Sequence, residues 1–409
     1  MLHAYPKQLA SFVHSRWGNG PGLPPERDLE ALLSIAYQAS VLRDEDRPVA
    51  FRLVLAPPEA FAEDSGPPTG VLALRFEAPR RFDEHELRRL SQAAKYHRTL
   101  IGVSATPKDQ FVIWGVVQTG PRWLPSARAG EENPPRLPDG ALVVRVPAPG
   151  RIEVARGLAT IAEMRGGLIT EPGLDVFESR WLAARFADIR DEVVALHRAS
   201  FPDHEPPPRR LDQEAVRRIG QDVVRRTLAI MREAHHGGAL LFLPPEAADP
   251  GRMLPYLEVK YEFRAGAARR RYRAVILDLL HALATDRPDA RSNVAESNEA
   301  IFEISQLIAG LADVDGAVVL TRRFELVGFG AEIVGPLPSV ERVARAVDLE
   351  GETRALETPD DVGTRHRSVY RLIAAAPEVM AIVVSQDGSV QFVAQLAGDV
   401  TFWDHSAGG

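Results

Sequence analysis

Apolar runs and apolar/polar alternation mark strands in the first half of the chain at Val49 to Leu55, Phe111 to Val117, Ala141 to Val146 and Ile152 to Ala155. Helical spacing appears between them. Asp28 to Leu42 sets Leu29, Leu32, Leu33 and Ala36 on one face, and Asp83 with Glu86 forms a capping box ahead of Leu87, Leu90 and Ala94. A further helix is expected from about Asp175 to Leu196, with Phe177, Trp181, Ala184 and Ile189 inward. Pro202, Pro206, Pro207 and Pro208 then interrupt any helix, so 201–211 reads as a linker between a domain at 1–200 and another at 212–405.

In the second half, a helix from Asp212 carries Val216, Ile219, Val223 and Leu228 toward Met231, and Gly237-Gly238 ends it before the strand Ala239 to Leu243. Ile301, Ile304, Leu307, Ile308 and Leu311 lie at helical spacing. A hairpin-like pair follows at Ala317 to Leu320 and Phe324 to Gly328, then a helix begun by Ser339 with Val343, Ala344 and Val347 inward. The chain closes with a helix from about Arg365 and strands at Ala381 to Val384 and Val390 to Ala394. Pro244 to Gly266 and Thr285 to Ser297 read as surface excursions. The pattern predicts an α/β (α+β) protein: a C-terminal mixed β-sheet flanked by helices, preceded by a separate α+β domain.

Composition narrows the chemistry. At 409 residues, 45% hydrophobic and 26% charged, the chain is an ordinary globular protein able to bury a core. The formal charge of −7 argues against broad binding to nucleic acid or an anionic membrane, so a phosphate site must be a local pocket. Cysteine is absent, which removes disulfides, thiolate nucleophiles and Cys-ligated metals. Met1 to Trp17 has no continuous apolar region and no stretch is apolar enough to span a bilayer, so a soluble, cytoplasmic protein is expected. Only Lys7, Lys95, Lys108 and Lys260 are lysines, and no Gly-Lys-Ser/Thr occurs, which excludes a P-loop.

Three segments carry candidate chemistry: His236-Gly237-Gly238-Ala239-Leu240-Leu241, Asp315-Gly316-Ala317, and Gly363-Thr364-Arg365-His366-Arg367-Ser368. Singly, each also reads as a turn, a strand start or a solvated helix end. The third combines a glycine permitting close approach, Thr364 as a helix N-cap, two arginine forks, hydroxyls and an imidazole within one turn, a set suited to a polyphosphate. At the mouth of a strand, Asp315 can reach a metal or a ribose hydroxyl, or else simply cap a turn. Asp313, two residues away, permits a paired-carboxylate site but also reads as a loop residue. His235-His236 reads as a dipole partner rather than a metal site. Trp114, Trp123 and Trp181 read as core or pocket aromatics. Arg269-Arg270-Arg271 with Arg273 reads as a phosphate clamp or as a solvated basic edge.

Together these segments resemble the bacterial diadenylate cyclases, whose catalytic domain carries an Asp-Gly-Ala motif and an Arg-His-Arg motif. The likeness covers about Asp212 to Asp404 and takes in the Arg232 to Leu243 helix-turn-strand and the strand ending in Ser385-Gln386. More loosely, the first ~200 residues resemble the probable sensor domain DACNV, on their layout and on Tyr37-Gln38-Ala39-Ser40 and Gly120-Pro121-Arg122-Trp123. The resemblance implies condensation of two ATP into cyclic di-AMP with release of two pyrophosphates, at a face-to-face homodimer using Mg²⁺ or Mn²⁺. It implies that Asp315 engages the ribose 3′-hydroxyl and the metal, and that Gly316 and Ala317 line the nucleotide. Thr364, Arg365, Arg367 and Ser368 would hold the triphosphate, His366 would sit by the metal and phosphates, and Ser385 would contact the phosphates. Arg365 and His366 would thus join Asp315 as catalytic residues. The alternatives are a cyclase-like module that binds ATP or cyclic di-AMP without turnover, and a first half serving as a protein-interaction platform. The 50 positions between Asp315 and Arg365 exceed what the family leads one to expect, so 335–361 is expected to be an enlarged loop.

Overall fold

The computed structural model describes residues 5–18, 21–62, 66, 71–96, 98–106, 111–119, 137–157, 159–170, 173–199, 213–234, 237–249, 251–284, 290–359 and 362–405. The chain divides into two compact units, Met1–Gly173 and Leu174–Ala407, the first also counting its last two residues. The expected boundary at 201–211 lies outside the described residues, and the division falls upstream of it because 174–199 pack with the second unit. Phe177, Leu182, Val193 and Val194 belong to that unit's core, and Trp181 stacks on Trp403 with ring centroids 4.2 Å apart.

In the first unit an eight-stranded sheet is built from β1 (Phe51–Leu55), β2 (Leu72–Arg81), β3 (Thr99–Ala105), β4 (Phe111–Gln118), β5 (Leu142–Ala148), β6 (Arg151–Arg156), β7 (Ala159–Arg165) and β8 (Leu168–Thr170). The order is β8-β7-β6-β5-β1-β3-β4-β2, with β1 and β3 parallel and the other neighbours antiparallel. Helices α1 (Pro6–Arg16), α2 (Glu26–Val41) and α3 (Glu84–Ala93) bring Leu9, Leu29, Leu33 and Leu87 against one face, through Phe51 and Val144. The expected cap of α3 is present: the Asp83 carboxylate accepts from the Glu86 N–H at 2.9 Å. Trp114 is a core residue whose indole N–H donates to the Ala56 carbonyl at 2.8 Å.

The second unit is a nine-stranded mixed sheet. Its strands are β9 (Gly238–Leu243), β10 (Leu257–Glu262), β11 (Ala317–Thr321), β12 (Leu326–Ile333), β13 (Val343–Ala346), β14 (Arg354–Glu357), β15 (Met380–Val384), β16 (Val390–Leu396) and β17 (Asp399–His405). The order is β10-β12-β11-β9-β15-β16-β17-β13-β14. Its helices are α4 (Arg180–Arg185), α5 (Ala187–Ala199), α6 (Gln213–Ala234), α7 (Arg271–Ala284), α8 (Ala290–Leu311) and α9 (Thr364–Ala375). Both faces of the central strands are covered, which is why they read as unbroken apolar runs. Leu240 and Phe242 enter the core shared with α6, α7 and α8, whereas Leu241 and Leu243 join that of α9. Among the described residues no helix is long and apolar enough to cross a membrane.

Four expectations are corrected. The helix begun at Ser339 is instead loop and the strand β13, because Val343, Ala344 and Ala346 are buried while Val347 is 60% exposed, a pattern that serves a sheet edge and not a helix face. The stretch 335–361 is therefore no simple loop: β13 pairs in parallel with β17, β14 closes the edge, and both lie away from Asp315. The helix expected over 175–196 breaks into α4 and α5 at Phe186, whose backbone (φ −113°, ψ 13°) is not helical. The excursion 244–266 contains the edge strand β10, which has only Leu257 fully buried.

Candidate nucleotide site

Strand register gathers the three segments at one end of the second sheet. Leu240 pairs with Val318 in the parallel β9/β11 ladder, which sets Gly238 level with Gly316, and Gly238 pairs with Val384 across β9/β15. Asp315 and Gly316 at the start of β11, Gly237 before β9, and Ser385 after β15 thus share one sheet edge. α9 adds the arginine. A Cβ on Gly237 would stand 2.9 Å from Arg365 Nη1, 2.8 Å from the Val384 carbonyl and 3.1 Å from the Gln386 nitrogen, so the guanidinium lies against bare backbone. Only glycine fits there, at φ +65°. Gly316 is equally constrained: at φ +108° its missing Cβ would meet the Gly330 carbonyl carbon at 2.6 Å.

Ser385 opens a tight turn, taking a bond from the Gly388 N–H and donating its own N–H to Ser389 O, both at 2.9 Å. Arg232 Nε at the end of α6 donates to Gly388 O at 2.8 Å and pins the turn to the helix. Asp315 is exposed and Ala317 buried, while Arg367 and Thr364 are exposed at the start of α9. Gly363, not Thr364, is the N-cap of α9, and no side chain caps it, because the chain reaches the helix through an extended glycine (φ −62°, ψ 161°). The first N–H groups of α9 therefore point outward beside Arg365 and Arg367, an arrangement that favours an anion.

His366 lies one turn from Tyr370 on α9, with ring centroids 6.3 Å apart. Burial and the neighbouring Arg365 push its imidazole below the usual histidine range, opposed by Asp387 and Asp404. Beneath it, Tyr370 donates to Gln391 Oε1 at 3.2 Å, Gln391 Nε2 donates to Asp404 Oδ1 at 2.9 Å, and Arg345 Nε donates to Asp404 Oδ2 at 2.9 Å. Burial first, then Asp404 and Glu357, raise the Tyr370 hydroxyl above its usual range. This hydrogen-bonded chain is not legible in the order of residues, since its members come from α9, β13, β16 and β17. Asp315 is not among the charges acting on His366. Among the described residues no three His, Asp or Glu side chains form a group able to hold an ion. A divalent cation at Asp315 would take most of its ligands from phosphates and water, as Mg²⁺ does in phosphoryl sites.

The remaining candidates sit elsewhere. Asp313 is exposed. Arg269 is buried and donates to Phe263 O, Arg270 reaches Glu325, and Arg273 binds Glu192, so the cluster is neither a clamp at this edge nor a solvated strand. His235, His236 and Trp123 lie outside the described residues.

In the first unit, α2, α3 and β1 to β4 lie between Glu26 and Gln118. Residues 19–118 match the family of the probable sensor domain DACNV. The DACNV stretch ends where β4 ends, leaving β5 to β8 as a continuation of the same sheet. No curated protein matches the chain.

Proposed function

We propose that the second unit is a diadenylate cyclase, joining two ATP into cyclic di-AMP and two pyrophosphates under the control of the DACNV sensor domain. The observation that carries this reading is the sheet register, which sets Asp315-Gly316 and Ser385 on the same edge as the Arg365 guanidinium. Arg365, Arg367, Thr364, Ser368 and the open N–H groups of α9 bind the triphosphate; Ser385 adds a hydroxyl. Gly316, packed against the Gly330 backbone, and the buried Ala317 fix the strand start that presents Asp315 to the nucleotide. Asp315 orients the ribose 3′-hydroxyl and accepts its proton as that oxygen bonds to the α-phosphorus of a second ATP and pyrophosphate leaves. Repeating the step in the opposite sense closes the ring, which requires two domains facing each other. His366, kept neutral, is a hydrogen-bond partner rather than a fixed cation. A bound Mg²⁺ or Mn²⁺ would offset the charge of the phosphates. ATP supply places the reaction in the cytoplasm.

The test is incubation with ATP and each metal separately, with mass detection of products, alongside Asp315→Asn. Cyclic di-AMP from the natural sequence, with at least about a hundredfold loss in the variant and ATP binding retained, supports the reading. Saturable ATP binding with no product under either metal replaces it with a nucleotide-binding module. Specific activity that stays flat on dilution to monomer contradicts the face-to-face step.

A further inference from the structure

A cavity lies in the same unit on the α6 side of the sheet, at the end of the strands away from Asp315 and Ser385. Phe177, Phe186, Phe242, Phe324 and Phe392 line its interior, closed below by Met380 and Ile382, and its empty volume, mouth included, is about 740 Å³. That volume takes in open solvent at the mouth, and it is the apolar lining that marks the site. Four residues of β9, about 13 Å, separate Phe242 from Gly238 at the nucleotide edge.

The mouth is basic. Arg190, Arg217, Arg273 and Arg323 line it, and the lining holds no Asp or Glu. Three of these cations are committed: Arg217 to Glu214 at 2.6 Å, and Arg273 and Arg323 jointly to Glu192. Arg190 differs. Its guanidinium donates to the Ala183 carbonyl, and among the described residues no carboxylate lies within ion-pair distance of it. Burial first and Arg217 second push it below the usual arginine range, against the opposing pull of Asp191, Glu214 and Asp188.

We propose that this cavity binds an amphiphilic monoanion, a molecule with an apolar body seated among the phenylalanines and one carboxylate or phosphate held by Arg190. The apolar walls supply affinity without direction, and the arginine fixes which end faces out. α6 joins this site to the other: Val216, Gly220 and Val224 line the cavity, while Met231 at the far end packs on Gly238 and Arg232 holds Gly388.

The experiment is calorimetric titration of the full chain with decanoate, decyl phosphate and decanol, each below its aggregation threshold. Decanoate or decyl phosphate binding at one site, at least tenfold tighter than decanol, is the expected result, and whichever anion binds better identifies the headgroup. Arg190→Gln should remove that preference while leaving decanol binding unchanged. Gly220→Leu should abolish all three, because a Cβ there already touches the Phe324 ring at 3.5 Å and the added atoms enter the cavity. Circular dichroism establishes that each variant folds. Equal binding of decanol and decanoate, no binding by any probe, or binding indifferent to both variants would overturn the proposal. None of these readouts depends on turnover of ATP.

Discussion

The two sheets treat their second face differently. In the second unit both faces of the central strands are apolar and lie under helices. In the first, the face away from α1 to α3 carries a cross-strand row of charges, Arg52, Arg145, Glu153 and Glu163, on adjacent strands in direct register. Arg52, Arg145 and Glu153 are nonetheless buried. Glu153 is the hub: it lies 3.0 Å from Arg151 and 3.7 Å from Arg145, while Arg151 also reaches Glu163 at 2.8 Å. Burial alone would lower the Arg151 guanidinium, but Glu153 and Glu163 outweigh it and hold it above its usual value. An apolar sheet gains stability from every buried side chain, whereas a buried charge row is stable only while each member keeps its partners. The sheet of the second unit is thus held by apolar packing on both faces, whereas that of the first unit keeps a row of charges inside, where a change in charge has a large effect.

That contrast predicts where single substitutions cost most. Glu153→Ala removes the carboxylate that Arg145 and Arg151 share, Arg151 keeping Glu163, and should destabilise the first unit by about 3 kcal/mol, read as a lower urea midpoint of its transition. A shift below about 1 kcal/mol would mean the row is solvated and the comparison fails. Leu241→Ala in the second unit removes a fully buried side chain of β9 and should cost about 3 kcal/mol through lost burial and a residual cavity. Since the two changes act in separate compact units, their effects should add.

How far these features are legible in the sequence follows the same division. The central strands of the second sheet announce themselves because both faces are apolar, and the capping box of α3 is local chemistry. β13 is misread because four residues cannot reveal a period, and its pairing with Thr401 and Phe402 comes from far along the chain. The break at Phe186 carries no Gly or Pro to signal it. For the proposed nucleotide site, residue types and spacing single out Asp315, Gly316 and Arg365, but the closeness of Arg365 to Gly237 needs the β9/β15 register. The arginine-rimmed cavity was invisible, its walls coming from segments as far apart as Phe177 and Phe392.

A third prediction separates the units by pH. His197 in α5 and His281 in α7 face each other with ring centroids 4.6 Å apart, and burial first, then His281, depress His197 from 6.5 to about 4. The folded state therefore refuses a proton that the unfolded chain accepts. This contribution is complete above pH 6.5 and is lost as pH falls toward 4, at about 1.4 kcal/mol per pH unit at most. Denaturant midpoints of the second unit's transition should drop across that window, and His197→Gln should flatten the slope. An unchanged slope in that variant would assign the acid sensitivity to the carboxylates instead.

The smallest stability effect is the most telling about the nucleotide edge. α3 has a carboxylate at its N-cap and α9 has none, although Gly363 has an ordinary φ of −62° and a Cβ there would meet nothing within 4 Å. Gly363→Asp should therefore be accepted without strain and stabilise α9 by a few tenths of a kcal/mol, since aspartate caps better than glycine. A helix end that only begins a fold would simply gain. One that receives a triphosphate gains stability but loses function, because the new carboxylate occupies the N–H groups and opposes the incoming charge beside Arg365 and Arg367. A slightly raised melting temperature with ATP affinity several-fold weaker is the expected pair of results. Raised stability with ATP affinity intact would move the triphosphate away from α9, and the Arg-His-Arg segment would then be structural.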